Sequence, residues 1–292
     1  MFQGTIVAIV TPFKNGKVDE EGLRSLIEDQ IAHGIDGIVP CGTTGESATL
    51  SHEEHEKVIE ITIDAVKKRV PVIAGTGSNS TAEALRLTKH AYEVGADGVL
   101  MVCPYYNRPT QDGLFEHFKK IAESVSIPII LYNIPSRTGI NLLPETVYKL
   151  SKLPNIVGIK EASGSLKQVM DIVQACGSNF AVLSGDDVMT LPMLAVGGKG
   201  VISVIANIVP QDMSDMIKNY LSGKVEVARE LHYKMLPLID ALFLETNPVP
   251  VKTALHLMGK ISYEVRLPLC RMTEANFLKL KKTLIDYGLV KG

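Results

Sequence analysis

A lysine stands inside an apolar run. In IVGIKEAS, residues 156–163, the β-branched Ile156, Val157 and Ile159 predict a buried strand, and Lys160 follows them. An ammonium in an apolar setting is costly, and burial favours the neutral amine. A neutral amine attacks a carbonyl to give a Schiff base, whose protonated form withdraws electrons from the neighbouring carbon. The bland alternative is a lysine that snorkels past the strand end into water. GTTGES, residues 42–47, has glycines that let successive backbone N–H groups converge and two threonine hydroxyls that add donors. That combination suits a carboxylate or phosphate, although a loop with good turn chemistry has the same look. Tyr132 lies in the run just before that of Lys160, on a neighbouring strand from which its hydroxyl would reach the Lys160 amine and relay protons, unless it simply fills a core. Arg137 follows in PSRTG, either as a carboxylate clamp or as a solvated loop arginine.

Other candidates are weaker. GTGSNS (75–80) lacks the third glycine of a dinucleotide fingerprint, and GTTGES lacks the Gly-Lys-Ser/Thr of a nucleotide-binding loop. His52 and His55 are three apart on a helical pattern, with no third ligand at matching spacing, so no metal is expected. SGDD (184–187) reads as a polar turn rather than a magnesium site. Cys41, Cys103, Cys176 and Cys270 are scattered, with no C-x-x-C pair, and read as free thiols.

These residues need a frame. Eight short apolar runs alternate with helical patterns: 4–12, 36–42, 71–77, 97–106, 128–135, 156–163, 180–187 and 200–207. They are continuous in hydrophobicity, as strands buried on both faces are. Between them Leu23, Leu26, Ile27 and Ile31, and Leu114, Phe118, Ile121 and Val125, recur at helical spacing. Ser51 with Glu54 predicts a capping box, Pro144 suits a first helical turn, and Ser165 a cap. HGIDGIV (33–39), VGADGVL (94–100) and VGGKGVI (196–202) form a weak repeat in which glycine ends a helix and a strand begins. Eight βα units predict an α/β fold, a (β/α)8 TIM barrel over residues 1–222, ahead of an open doubly wound sheet. Residues 223–292 contain helical patterns only and form a C-terminal helical region for barrel packing and subunit contact. Pro40 predicts a local bulge in the second strand. In such a barrel, active groups stand at the C-terminal strand ends, where the polar residues above fall.

The chain has 292 residues, 46% hydrophobic and 21% charged, with a net charge of −2. That is globular composition without the basic footprint of nucleic-acid binding or of an anionic membrane surface. No apolar run approaches the ~20 residues of a bilayer span, and the start lacks a signal-peptide pattern, so a cytoplasmic protein is expected.

Taken together and in order, GTTGES, PYYNRP (104–109), YNIPSRTG (132–139), GIKEASG (158–164) and SGDD resemble the dihydrodipicolinate synthase family, a branch of the pyruvate-dependent class I aldolases. The resemblance spans the whole chain. It implies condensation of pyruvate with L-aspartate 4-semialdehyde, early in diaminopimelate and lysine biosynthesis, with no cofactor. It implies the imine on Lys160 and the pyruvate carboxylate on Thr43 and Thr44. Tyr132, Thr43 and Tyr106 would relay protons, with Tyr106 supplied by a neighbouring subunit. Arg137 would hold the semialdehyde carboxylate, and Gly185 and Ile202 would line the pocket. A homotetramer, a dimer of dimers, is implied as well.

Lysine-inhibited members of the family imply an effector site for L-lysine at Ser47, Ala48, His52, His55, Gly77, Asn79, Glu83 and Tyr105. The residue types suit it. Glu83 pairs with an α-ammonium, Tyr105 and Asn79 bind a carboxylate, and the two histidines line a side-chain slot. Two competing readings are a sister aldolase such as N-acetylneuraminate lyase and a silent barrel that only binds ligands. PYYNRP and PSRTG favour the synthase branch over the first. Retention of the lysine and tyrosine argues against the second.

Overall fold

Residues 2–292 are described in the computed structural model of the chain. Eight parallel strands form one sheet: β1 (Gly4–Ala8), β2 (Gly37–Val39), β3 (Ile73–Gly75), β4 (Gly98–Val102), β5 (Ile129–Asn133), β6 (Ile156–Glu161), β7 (Ala181–Ser184) and β8 (Gly200–Ser203). Their spatial order is β2-β1-β8-β7-β6-β5-β4-β3. The two ends of that order meet. Ile38 bridges Val72, the Ile38 amide donates to Pro71 O, and the Gly75 amide donates to Pro40 O, which closes the barrel. A small antiparallel hairpin, Phe13–Lys14 with Lys17–Val18, follows β1.

The continuous hydrophobicity of the strands has its reason here. Ile6, Ala8, Val39, Ile73, Leu100, Ile130, Tyr132, Leu183 and Ile202 fill the barrel interior. Alternate residues such as Val7, Ile38, Val99, Leu131, Ile159 and Val182 face the surrounding helices. Both faces are dry, so both must be apolar.

The helices of the ring are α1 (Glu20–Ala32), α2 (His52–Val66), α3 (Thr81–Glu93), α4 (Gln111–Ser124), the short α5 (Pro135–Thr138), α6 (Pro144–Leu150), α7 (Leu166–Cys176), α8 (Thr190–Ala195) and α9 (Pro210–Leu221). The local signals behave as their chemistry requires. Ser51 accepts from the Glu54 amide while the Glu54 carboxylate accepts from the Ser51 amide, a complete capping box. Ser165 accepts from the Gln168 amide. Pro144 opens α6. The repeat glycines Gly34, Gly95 and Gly197 follow α1, α3 and α8 at positive φ, turning the chain into the next strand. Pro40 differs from expectation. It does not bulge β2 but lies just past its end, and the chain turns sharply at Cys41, whose φ is 55°.

Beyond residue 222 come α10 (Val225–Leu242), α11 (Val249–Leu257) and α12 (Glu274–Tyr287). They pack back on the barrel. Met235, Leu238, Val251, Leu255, Leu280 and Leu284 belong to the same apolar core as the helix-facing strand residues. No helix among the described residues is long and apolar enough to cross a membrane.

Candidate active site

Lys160 is the penultimate residue of β6, in register with Tyr132 of β5 and Leu183 of β7. The next pair, Asn133 with Glu161, points the opposite way. There the Glu161 carboxylate accepts from Asn133 Nδ2, the Ser163 amide and Gln168 Nε2, which ties the ends of β5 and β6 to α7. The strand alternation that sends Glu161 outward sends Lys160 inward.

Only 5% of Lys160 is exposed, and its Nζ lies 4.3 Å from the centre of the Tyr132 ring. The sequence suggests a phenol hydroxyl reaching the amine; the geometry instead puts the amine against the ring face. Burial pulls the amine down to about 8 from 10.5. The Asp187 and Asp186 carboxylates oppose this, and the Arg137 charge assists it. Burial pushes the Tyr132 phenol up to about 12, against the Arg137 charge and the facing Thr43 side chain. Gly185 follows β7 and makes room for the lysine stem. A Cβ there would lie 3.1 Å from Lys160 Cε and 2.7 Å from Ala162 Cβ. Ile202, on β8, is fully buried beside Tyr132 and Leu183 in the barrel interior.

The GTTGES loop folds back on itself. The Gly45 amide donates to Gly42 O and the Glu46 amide to Thr43 O. Among the described residues, the Thr43 and Thr44 amides donate to no acceptor of the protein. Next to them, Thr43 and Arg137 line a cavity of about 480 Å³. Ser47, Ala48, His52, His55, Gly77, Glu83 and Tyr105 line the same cavity, so the proposed effector residues and the barrel mouth share one continuous space. His52 Nε2 lies 3.3 Å from Glu83, which also takes a hydrogen bond from Ser78. Burial pulls the His55 imidazole down to about 4. Asn79 is not among the lining residues; its carbonyl accepts from Asn107 Nδ2 at 2.9 Å. Tyr106 is 90% exposed, with φ 70°, and does not line the cavity of its own barrel.

Two contributors escape sequence reasoning. Asn247, in the loop before α11, donates through Nδ2 to Thr44 Oγ1 at 3.0 Å and accepts through its carbonyl from Arg137 Nη2 at 3.0 Å. It thus joins the GTTGES loop to the arginine, and its buried Oδ1 has no protein partner. The only hint is an Asn before Pro248 at a helix start. Asp187, read as part of a polar turn, turns a buried carboxylate onto the chain just past β8. There it accepts from the Val204 and Ile205 amides at 3.0 and 2.9 Å, pinning the end of β8. Burial raises its pKa.

Residues 1–286 match the Dihydrodipicolinate synthetase family. The chain is 69% identical over 290 residues to the 4-hydroxy-tetrahydrodipicolinate synthase of Syntrophus aciditrophicus, covering 99% of this chain and all of that one. A crystal structure of the dihydrodipicolinate synthase of Acinetobacter baumannii complexed with pyruvate is 47% identical, with a TM-score of 0.97 over 99% of this chain and 100% of that one. The enzyme of Cyanidioschyzon merolae with lysine bound is 43% identical, with a TM-score of 0.97 and 99% of each chain covered. A barrel with its inward lysine on β6, the GTTGES turn after β2 and likeness of this extent over the full length lead to one conclusion: the chain belongs to the dihydrodipicolinate synthetase family.

Proposed function

We propose that the protein is a 4-hydroxy-tetrahydrodipicolinate synthase, a lyase that condenses pyruvate with L-aspartate 4-semialdehyde. The observation that carries this reading is Lys160, a dry amine with a lowered pKa, buried at the end of β6 against the Tyr132 ring. The pyruvate carboxylate accepts from the Thr43 and Thr44 amides and hydroxyls. The neutral Lys160 amine attacks the pyruvate keto carbon, water leaves, and a protonated imine remains. Loss of a proton from the methyl carbon gives an enamine, which attacks the aldehyde carbon. The amino group of the second substrate then displaces Lys160 and closes the ring, so one water is released overall. Tyr132 moves the protons, with Thr43 and, from a neighbouring subunit, Tyr106. Arg137 holds the second carboxylate, Gly185 gives the lysine its room, and Ile202 walls the pocket. Enclosure in the barrel protects the enamine from bulk water.

In this reading residues 1–222 are the catalytic barrel, and the helical region 223–292 supports its mouth through Asn247. The enzyme works in the cytoplasm as a homotetramer, a dimer of dimers. A coupled assay with pyruvate and L-aspartate semialdehyde tests the reaction, with N-acetylmannosamine and glyceraldehyde as alternative acceptors. Turnover only with either alternative would move the chain to a sister aldolase. Arg137→Ala tests the assignment of the two carboxylates. A lost charge-assisted hydrogen bond is worth about 1.5–3 kcal/mol, so KM for the semialdehyde rises roughly ten- to a hundred-fold while that for pyruvate changes little. An equal rise in both KM values would make Arg137 structural.

L-Lysine is the expected inhibitor. Glu83 takes its α-ammonium, Tyr105 and Asn79 its carboxylate, and His52, His55, Ser47, Ala48 and Gly77 shape the slot. Allosteric couplings are commonly about 1–3 kcal/mol, so inhibition in the sub-millimolar to millimolar range is expected, weakened in Glu83→Ala. Titration of wild type and variant with L-lysine checks this. Full wild-type activity at about 10 mM lysine, on the order of ten times the expected constant, or equal inhibition of both proteins, would reject the site.

A further inference from the structure

Behind the anion loop lies an ion pair that the proposed mechanism does not use. Lys252, in the first turn of α11, meets Glu46, and both side chains have zero exposure. The Lys252 ammonium lies 4.2 Å from the centre of the Phe13 ring, and the Arg266 guanidinium lies at the same distance from it. The second Glu46 oxygen accepts from the Arg266 amide at 3.1 Å. Arg266 in turn forks onto Glu54 of α2 at 2.5 and 2.6 Å and donates to Thr49 O. Two opposite charges have therefore been taken wholly out of water at one place.

A buried pair of this kind is a poor way to stabilise a fold, because well-packed apolar residues of similar volume usually do as well or better. Its position suggests another use. Glu46 ends the turn that presents Thr43 and Thr44, since its amide donates to Thr43 O. Its φ is 53°, a left-handed conformation that a residue with a Cβ holds only when its surroundings impose it. Thr11 Oγ1 holds the neighbouring Gly45 carbonyl at 2.7 Å. The start of α11 grips the loop twice, through Asn247 on Thr44 and through Lys252 on Glu46.

We infer that Glu46 and Lys252 are positioning residues: their buried ion pair locks the turn at Glu46 so that the Thr43 and Thr44 amides stay convergent on the pyruvate carboxylate. The inference rests on the Schiff-base reading above. It predicts a defect confined to the first substrate. A preorganised anion site loses affinity when its donors wander, whereas the Arg137 subsite, held by Asn247, is left in place.

The test uses two double variants, so that no lone charge is left buried. Glu46→Gln/Lys252→Met removes both charges. Glu46→Gly/Lys252→Met does so while also suiting the left-handed φ. Three quantities are measured: the melting temperature, the borohydride-trapped pyruvyl adduct at Lys160 as a function of pyruvate, and KM for the semialdehyde at saturating pyruvate. The expected result is a folded protein whose adduct forms fully at high pyruvate. The pyruvate needed for half-labelling rises about tenfold or more, and the semialdehyde KM stays within about threefold. Half-labelling within twofold of wild type in a folded double variant overturns the inference. Failure of both variants to fold also overturns it, because the pair would then serve folding. An absence of adduct in the wild type overturns the underlying Schiff-base reading, and this inference with it, before any variant is compared.

Discussion

Replacing Lys160 by methionine is expected to abolish both turnover and borohydride-trapped labelling by pyruvate. Methionine keeps the length and apolar stem of the side chain and removes only the amine proposed to form the imine. In the wild type, intact-mass and peptide analysis should find one reduced pyruvyl group, on Lys160. A label on any other lysine would sink the proposed chemistry. The pH dependence has a definite sign. With its amine at about 8, Lys160 is roughly one-tenth neutral at pH 7, so kcat/KM for pyruvate rises about tenfold per unit below pH 7, about fivefold from pH 7 to 8, and then levels. A profile flat from pH 6 to 9 would show that another group limits capture.

The same shift bears on stability. The folded pKa lies below the unfolded value of 10.5, so folding is opposed wherever the unfolded lysine is charged. The cost, about 3 kcal/mol, is complete below about pH 8 and fades between about pH 8 and 10.5. Lys160→Met removes it. The variant should be inactive yet melt at an equal or higher temperature, which separates lost chemistry from lost structure.

Tyr132→Phe should be nearly as damaging by a different route. The ring that packs against Lys160 Nζ remains, so the amine keeps its place and the pyruvyl adduct still forms. What disappears is the phenol proposed to move protons, and a positioned general acid–base group contributes typically about 10²–10⁴-fold. The expected outcome is a kcat lower by that factor, with little change in half-saturation by pyruvate, measured by steady-state kinetics alongside trapping. Retention of more than about a tenth of wild-type kcat would remove Tyr132 from the relay and leave it as a wall of the barrel.

Much of this site was legible from residue order alone, because the barrel turns local signals into global ones. An apolar run with a lysine near its end reads as a strand, and burial rather than snorkelling is what places Lys160 inside the barrel. Glycine after each of three helices, a capping box at Ser51 and Glu54, and Pro144 at a helix start each fix a boundary through short-range sterics and hydrogen bonding. Gly185 is legible as a site residue only by resemblance. The reason a side chain there fails, the Lys160 stem 3.1 Å from where a Cβ would be, depends on how β6 and β7 lie together.

What the sequence determined by itself were the properties carried by neighbours along the chain: the eight βα units, the polarity of each strand end, and the chemical types of Lys160, Tyr132, Thr43, Thr44 and Arg137. Tertiary structure alone decided the contacts that cross large separations. Glu46 and Lys252 are 206 residues apart, Thr44 and Asn247 are 203 apart, and nothing in either local sequence marks the partner. The side chain of Asp187 could face solvent or the protein, and only the position of β8 makes it a buried acceptor for Val204 and Ile205. Tyr132 meets Lys160 with its ring face rather than its hydroxyl because strand register sets where two side chains lie side by side, while packing sets their angle. Periodicity and turn chemistry are local energies and can be read in order; buried pairing is a long-range compensation that exists only once closure of the barrel has excluded water.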